Sequence, residues 1–158
     1  MTPIIAYDYG PGMRDRLIDV MTGPAIVDAF ETCWCSLSSL GSELTEEQWN
    51  SPSLCPGWSA KDALMHLTAA EHGFSQWEDP LHPPFDKIGA YAQEHRALSG
   101  ADLLAEFERI SNMRLEQLRA LDEDGFSAPS WTAAGVGTYR RKSIVHIDTR
   151  LQQMVWRY

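Results

Sequence analysis

Three polar residues stand where a helical protein would normally place apolar ones. His66 falls within an apolar arc formed by Ala63, Ala70, Gly73 and Trp77, and Leu64, Leu67, Glu71 and Phe74 lie beside that stripe. Asp148 and Gln152, four residues apart, share a face with Ile144, Ile147, Leu151, Val155 and Tyr158. Residues three and four apart on a helix are neighbours, so Asp148 and Gln152 point the same way. A carboxylate carried into a bundle core needs a partner, because an unpaired buried charge is costly. A metal ion, the imidazole of His66, or bound ligand and water would each serve. An imidazole nitrogen and a carboxylate oxygen both suit a divalent cation, whereas an amide oxygen is a weak zinc ligand.

The remaining polar residues are weaker candidates. Glu71 and His72 continue the same helix, but His72 is six residues from His66 and faces elsewhere. His82 and His95 fall in or near a long connection and are expected to be solvated. His146 and Arg150 flank Asp148 and lean off its face. Cys33 and Cys35 have the form of a metal pair, but two positions apart on a helix they point in different directions. Glycine-rich phosphate loops, nucleophile elbows and zincin motifs do not occur in the sequence.

The elements that must position these residues follow from helical spacing. Ile26, Phe30, Cys33, Leu37 and Leu40 form the stripe of a first helix near 24–41, which Gly41 is expected to end. Thr45 and Gln48 have capping-box spacing. Cys55-Pro56-Gly57-Trp58 suits a tight turn with positive φ at Gly57, and Trp58 is expected to plug the end of the bundle. Ser59 and Asp62 open a second helix near 59–77, and Ser99 and Asp102 open a third near 99–121. Between them, 78–98 is a long connection with Pro80, Pro83 and Pro84, a short helix in its second half and the position of a site cover. Residues 127–137 read as a loop, and a fourth helix spans 138–157. Trp58, Leu67, Phe30, Ile110, Ile147 and Leu151 are the expected core. The expected architecture is all-α: an up-down four-helix bundle over 24–158, preceded by an irregular N-terminal extension over 1–23.

Bulk properties narrow the function. The 158 residues suit one domain. A net charge of −9 argues against nucleic acid and against an anionic membrane surface. No stretch approaches the roughly 20 apolar residues of a membrane span. The start of the chain lacks the features of a signal peptide, and the odd set of Cys33, Cys35 and Cys55 suggests reduced thiols, so a cytoplasmic location is expected.

Two stretches carry a resemblance. Leu44 to Trp49, Pro52 to Ser59 and Lys61 to Leu67, with a Cys-Pro-Gly-Trp turn followed by His66, resemble the N-terminal domain of the mycothiol-dependent maleylpyruvate isomerases, a branch of the DinB-like superfamily. Ile147-Asp-Thr-Arg-Leu-Gln152 is similar to the family's fourth-helix stretch, with Gln152 where the family has a histidine. The resemblance implies a DinB-like bundle and a divalent metal, usually zinc, held at His66, Asp148 and the position of Gln152. It also implies a low-molecular-weight thiol such as mycothiol, and pairing into a homodimer. An amide at the third position makes zinc binding weak or absent.

Three functions stay open. One is a metal- and thiol-dependent isomerase or transferase acting on a small electrophile. Another is a metal-free enzyme of specialised metabolism, with His66 and Asp148 as acid and base and Gln152 orienting substrate. The third is a non-catalytic small-molecule-binding bundle.

Overall fold

The computed structural model describes residues 22–76, 78, 84–127, 130–132 and 135–137. The expected fourth helix, with Ile147 and Leu151, and most of the 1–23 extension lie outside the described residues.

Helix α1 (Gly23–Ser42) starts where Thr22 caps it, its hydroxyl accepting from the Ala25 N–H at 3.4 Å. Its buried face is Ile26, Val27, Phe30, Trp34, Leu37 and Gly41. The expected stripe is thus shifted toward Trp34, and Cys33 and Leu40 sit at its edge, half-buried. Gly41 does not end the helix. It lies inside, and a Cβ there would stand 2.8 Å from Leu104 and 3.1 Å from the Trp49 ring. Its value is the close approach it permits.

Helix α2 (Glu46–Trp49) is set by a complete capping box: the Thr45 N–H donates to Gln48 Oε1 at 2.8 Å and the Gln48 N–H to Thr45 Oγ1 at 3.3 Å. It delivers Trp49, 1% exposed, against Gly41 and Gly100. Trp49, rather than Trp58, seals this end of the bundle. Trp58 is only half-buried, because the turn that carries it lies outside the helices. In that turn Gly57 has φ +78° and the Trp58 N–H donates to the Cys55 carbonyl at 3.0 Å, as the Pro-Gly pair dictates.

Helix α3 (Ala60–Ser75) opens on a second capping box, Ser59 with Asp62. Helix α4 (Phe85–Glu94) is the short helix expected in the 78–98 connection. Helix α5 (Gly100–Arg119) is capped by Ser99, and its Gly100 N–H donates to Glu46 Oε2 at 2.9 Å, which ties it to α2. Helix α6 (Glu123–Ser127) returns to the start of α1, where Glu123 accepts from the Gly23 N–H at 2.7 Å.

The directions follow from the contacts. Arg119, at the end of α5, pairs with Glu31 in the first half of α1 at 2.8 Å, while Gly41 near the end of α1 packs on Leu104 near the start of α5. These two helices are antiparallel. Lys61 Nζ donates to the Leu98 carbonyl at 3.2 Å, and Gln117 Nε2 donates to the Ser75 carbonyl at 3.0 Å. Helices α3 and α5 therefore share both ends and run the same way. The expected up-down alternation holds for α1 against α3; α5 then runs parallel to α3 and antiparallel to α1, so the 78–98 connection is a crossover within the helix bundle. Helix α4 covers α3, where Gly73 admits Ile88: a Cβ at Gly73 would lie 2.4 Å from Ile88 Cγ1.

The core contains Ile26, Phe30, Trp34, Leu37, Leu64, Leu67, Leu103, Phe107 and Leu118, and Ile110 is buried beside it. Phe30, Leu67 and Ile110 are buried as expected. Within 127–137, strands β1 (Ser130–Thr132) and β2 (Gly135–Gly137) pair antiparallel, Trp131 opposite Val136, so the expected loop carries a small ribbon. This ribbon leaves the all-α class intact. Among the described residues, no helix is long and apolar enough to cross a membrane.

Candidate functional site

His66 stands on α3 about two turns beyond the Ser59 cap. It is half-buried, and its ring lies against Trp58 with centroids 5.2 Å apart and planes inclined by 58°. The Cys-Pro-Gly-Trp turn explains this placement. The bridge between Pro52 and Ser59 folds the turn back on itself and leaves the indole along the first turns of α3. An aromatic face beside an imidazole gives a partly shielded, polar-edged surface, the kind of place where a base can reach a small molecule. Asp148 and Gln152 lie outside the described residues, as do His82, His146 and Arg150. Among the described residues, no group of three His, Cys, Asp or Glu side chains could hold a metal ion. Cys33 is half-buried, Cys35 exposed and Cys55 buried, and none of the three is in a disulfide.

Two polar clusters were not apparent in the sequence. The first joins α3 to α5. Glu71, 4% exposed, stands 3.4 Å from Arg114, 6% exposed. Burial pushes the Glu71 carboxyl up, and this outweighs the opposing pull of Arg114. The second cluster joins α3, α4 and α5. His72 stacks on Tyr91 at 4.1 Å, and Tyr91 stacks on His95 at 4.0 Å. His95 is therefore not solvated as expected. The return of α4 over α3 places it half-buried, with Nδ1 3.0 Å from the Tyr91 carbonyl. The Tyr91 hydroxyl donates to Glu106 at 2.5 Å, and Arg109 donates to both oxygens of Glu106 at 2.6 and 2.8 Å. Arg109 holds the Glu106 carboxyl down at about 2, and burial raises the Tyr91 phenol. Burial, with Arg109 next, holds the His72 imidazole below its ordinary value. Gln76 Nε2 lies 2.8 Å from His72 Nε2. An amide N–H can only donate, so that imidazole nitrogen accepts.

A pH dependence follows. A histidine whose folded pKa is depressed leaves the unfolded state holding more protons just below about pH 6.5, so stability falls as pH drops through that value. Glu106 acts lower: its contribution is present above the ordinary carboxylate pKa and is lost as pH falls toward about 2. The melting temperature is expected to decline from pH 7.5 to 5.5, and His72→Phe, which keeps the stack without a titrating ring, should flatten that decline. An unchanged slope in the variant would remove His72 from the account.

The fold and this surface define a small all-α bundle with a histidine face on its second long helix. The chain belongs to the mycothiol maleylpyruvate isomerase N-terminal domain family, whose profile matches residues 30–156. The crystal structure of the mycothiol-dependent maleylpyruvate isomerase is similar, with a TM-score of 0.65 and 14% identity over 85% of this chain. A histidine-to-alanine mutant of a mycothiol-dependent maleylpyruvate isomerase gives a TM-score of 0.66 and 15% identity over the same share. The chain spans 59% of the length of each. At this identity the likeness establishes the fold. No curated protein matches the chain.

Proposed function

We propose that this bundle is a thiol-dependent isomerase or transferase acting on a small electrophile, with His66, Asp148 and Gln152 as its working residues. The observation that carries this reading is the family match, which spans all three positions. The half-buried His66 beside Trp58 supports it, because the ring is shielded yet reachable. The name of the similar crystal structures points to mycothiol as the thiol and to an unsaturated keto acid as the electrophile.

A divalent metal does not fit this donor set as a three-ligand zinc centre. His66 and Asp148 are good donors, but Gln152 offers only a neutral amide oxygen. Base catalysis is the chemistry the three side chains can perform themselves. His66 takes the thiol proton, and Asp148 stabilises the imidazolium that forms. The thiolate adds to the activated double bond. A C–S bond forms, and the π electrons move to the conjugated carbonyl oxygen, where the Gln152 amide N–H donates. Rotation about the resulting single bond followed by expulsion of the thiolate restores the double bond in the other geometry, and His66 returns the proton to sulfur. In a transfer reaction the carbanion is protonated instead, and the adduct leaves.

Gln152→His should complete a three-ligand set and raise zinc affinity by at least tenfold, read by competition with a chromophoric chelator. An unchanged affinity would show that Gln152 does not occupy the third position, and the assignment of that residue would fall.

A further inference from the structure

Helix α4 is weak by its own sequence. Its N-cap, Pro84, gives no side-chain hydrogen bond, so the first N–H groups go uncapped. Gly89 sits in mid-helix, where only proline is a poorer helix former. Among the described residues, nothing lies within 4 Å of where its Cβ would stand, so packing does not require this glycine as it requires Gly41 and Gly100. Tyr91 alone in α4 is buried. A helix this short is marginal without tertiary support.

The support centres on Tyr91. His72 of α3 and His95 both stack on its ring, at 4.1 and 4.0 Å. Its hydroxyl donates to Glu106 of α5, which Arg109 holds with two N–H donors. Ile88, one turn before Tyr91, fills the space over Gly73. Gly73 lies two turns beyond His66 on the same face of α3, so α4 covers one end of the face that carries His66.

Closure favours the neutral imidazole of His72. Nε2 accepts from Gln76, and Nδ1 is buried without a partner. An imidazolium needs acceptors at both nitrogens, and separation from α4 brings water to Nδ1. The charged and titratable groups facing the ring are Tyr91, Glu94 and His95 on the α4 side and Glu106 and Arg109 on α5. Arg109 repels a second cation, and Glu106 is already paired with Arg109. Glu106, held down at about 2, and the Tyr91 phenol, raised by burial, do not change protonation between neutral and mildly acid pH.

We propose that α4 is a lid over the Gly73 end of the His66 face, latched through Tyr91 and released when His72 takes a proton. The inference goes beyond the chemistry proposed above and does not depend on it.

Native-state hydrogen exchange of the full chain tests it, read at the amides of 88–95 and of 107–115, without thiol, metal or substrate. The α4 amides should be at least about 100-fold less protected than those of α5, and low urea should lower the protection of α5 while leaving that of α4 unchanged, the mark of a local opening. From about pH 7.5 to about 5.5, the α4 protection factor should fall severalfold, with about tenfold the ceiling set by one proton on a free imidazole of pKa about 6.5. His72→Phe keeps a stacking ring and should abolish that fall, whereas His95→Phe should retain it. Tyr91→Phe, which loses only the bond to Glu106, should lower α4 protection at both pH values and keep the fall. Gly89→Ala should raise α4 protection about fourfold to fivefold. High protection of α5 in each variant reports that the bundle is folded.

Equal protection of α4 and α5 would overturn the lid, as would no gain in Gly89→Ala. A fall that persists in His72→Phe, or disappears in His95→Phe, would overturn its release by His72. Both readouts are made without turnover, so they stand or fall apart from the proposed reaction.

Discussion

Trp49→Ala is expected to lower the unfolding free energy by about 3–5 kcal/mol, measured by urea denaturation. The indole is 1% exposed and fills the junction of α1, α2 and α5. Two glycines are shaped around it: a Cβ at Gly100 would sit 2.1 Å from Trp49 Cδ1, and one at Gly41 would sit 3.1 Å from Cζ2. Glycines have no side chain with which to refill the space, so the cavity would persist and the cost should fall in the upper part of the range for aromatic truncation. Trp58→Ala is the matched control. Its indole is half-buried and sits on the histidine face, so its loss should cost less than half as much. A cost for Trp49→Ala below about 1 kcal/mol would contradict the assignment of this residue as the seal of the bundle.

The second large effect concerns turnover. His66→Ala should reduce the rate of electrophile consumption by about 100-fold or more, the loss typical of removing a general base. The melting temperature should change little by comparison, because His66 is only half-buried, on the Trp58 side of α3. A structural role for the ring would show the reverse pattern, with stability lost and the rate of the folded fraction kept. Raising the pH should partly restore the variant, since hydroxide then forms the thiolate that His66 otherwise generates.

Much of the scaffold was legible because its signals are local. Ser59 with Asp62, Ser99 with Asp102 and Thr45 with Gln48 each satisfy orphan N–H groups within one turn, and each begins a helix where the spacing places it. The positive φ of Gly57 follows from the Pro-Gly pair alone. What escaped depends on distant partners. Trp49 and Trp58 look alike in a sequence, and only the approach of Gly41 and Gly100 to the Trp49 ring decides which one is enclosed. Gly41 reads as a helix stop until Leu104 arrives to need its space.

The parallel run of α3 and α5 brings Glu71 to Arg114 across 43 positions, and no periodicity within either helix announces that pairing. His95 reads as a solvated loop residue until α4 folds back and stacks it on Tyr91. Of the candidate site, His66 is placed on a face that a small molecule can reach. Asp148 and Gln152 rest on their helical spacing and on the family match.

The most direct measurement is the conversion of an unsaturated keto acid by protein stripped of metal, followed by ultraviolet absorbance, with and without a low-molecular-weight thiol. Turnover that requires the thiol, survives removal of metal, and falls about 100-fold in His66→Ala is the predicted result. Turnover independent of thiol, or equal in wild type and His66→Ala, would contradict the account.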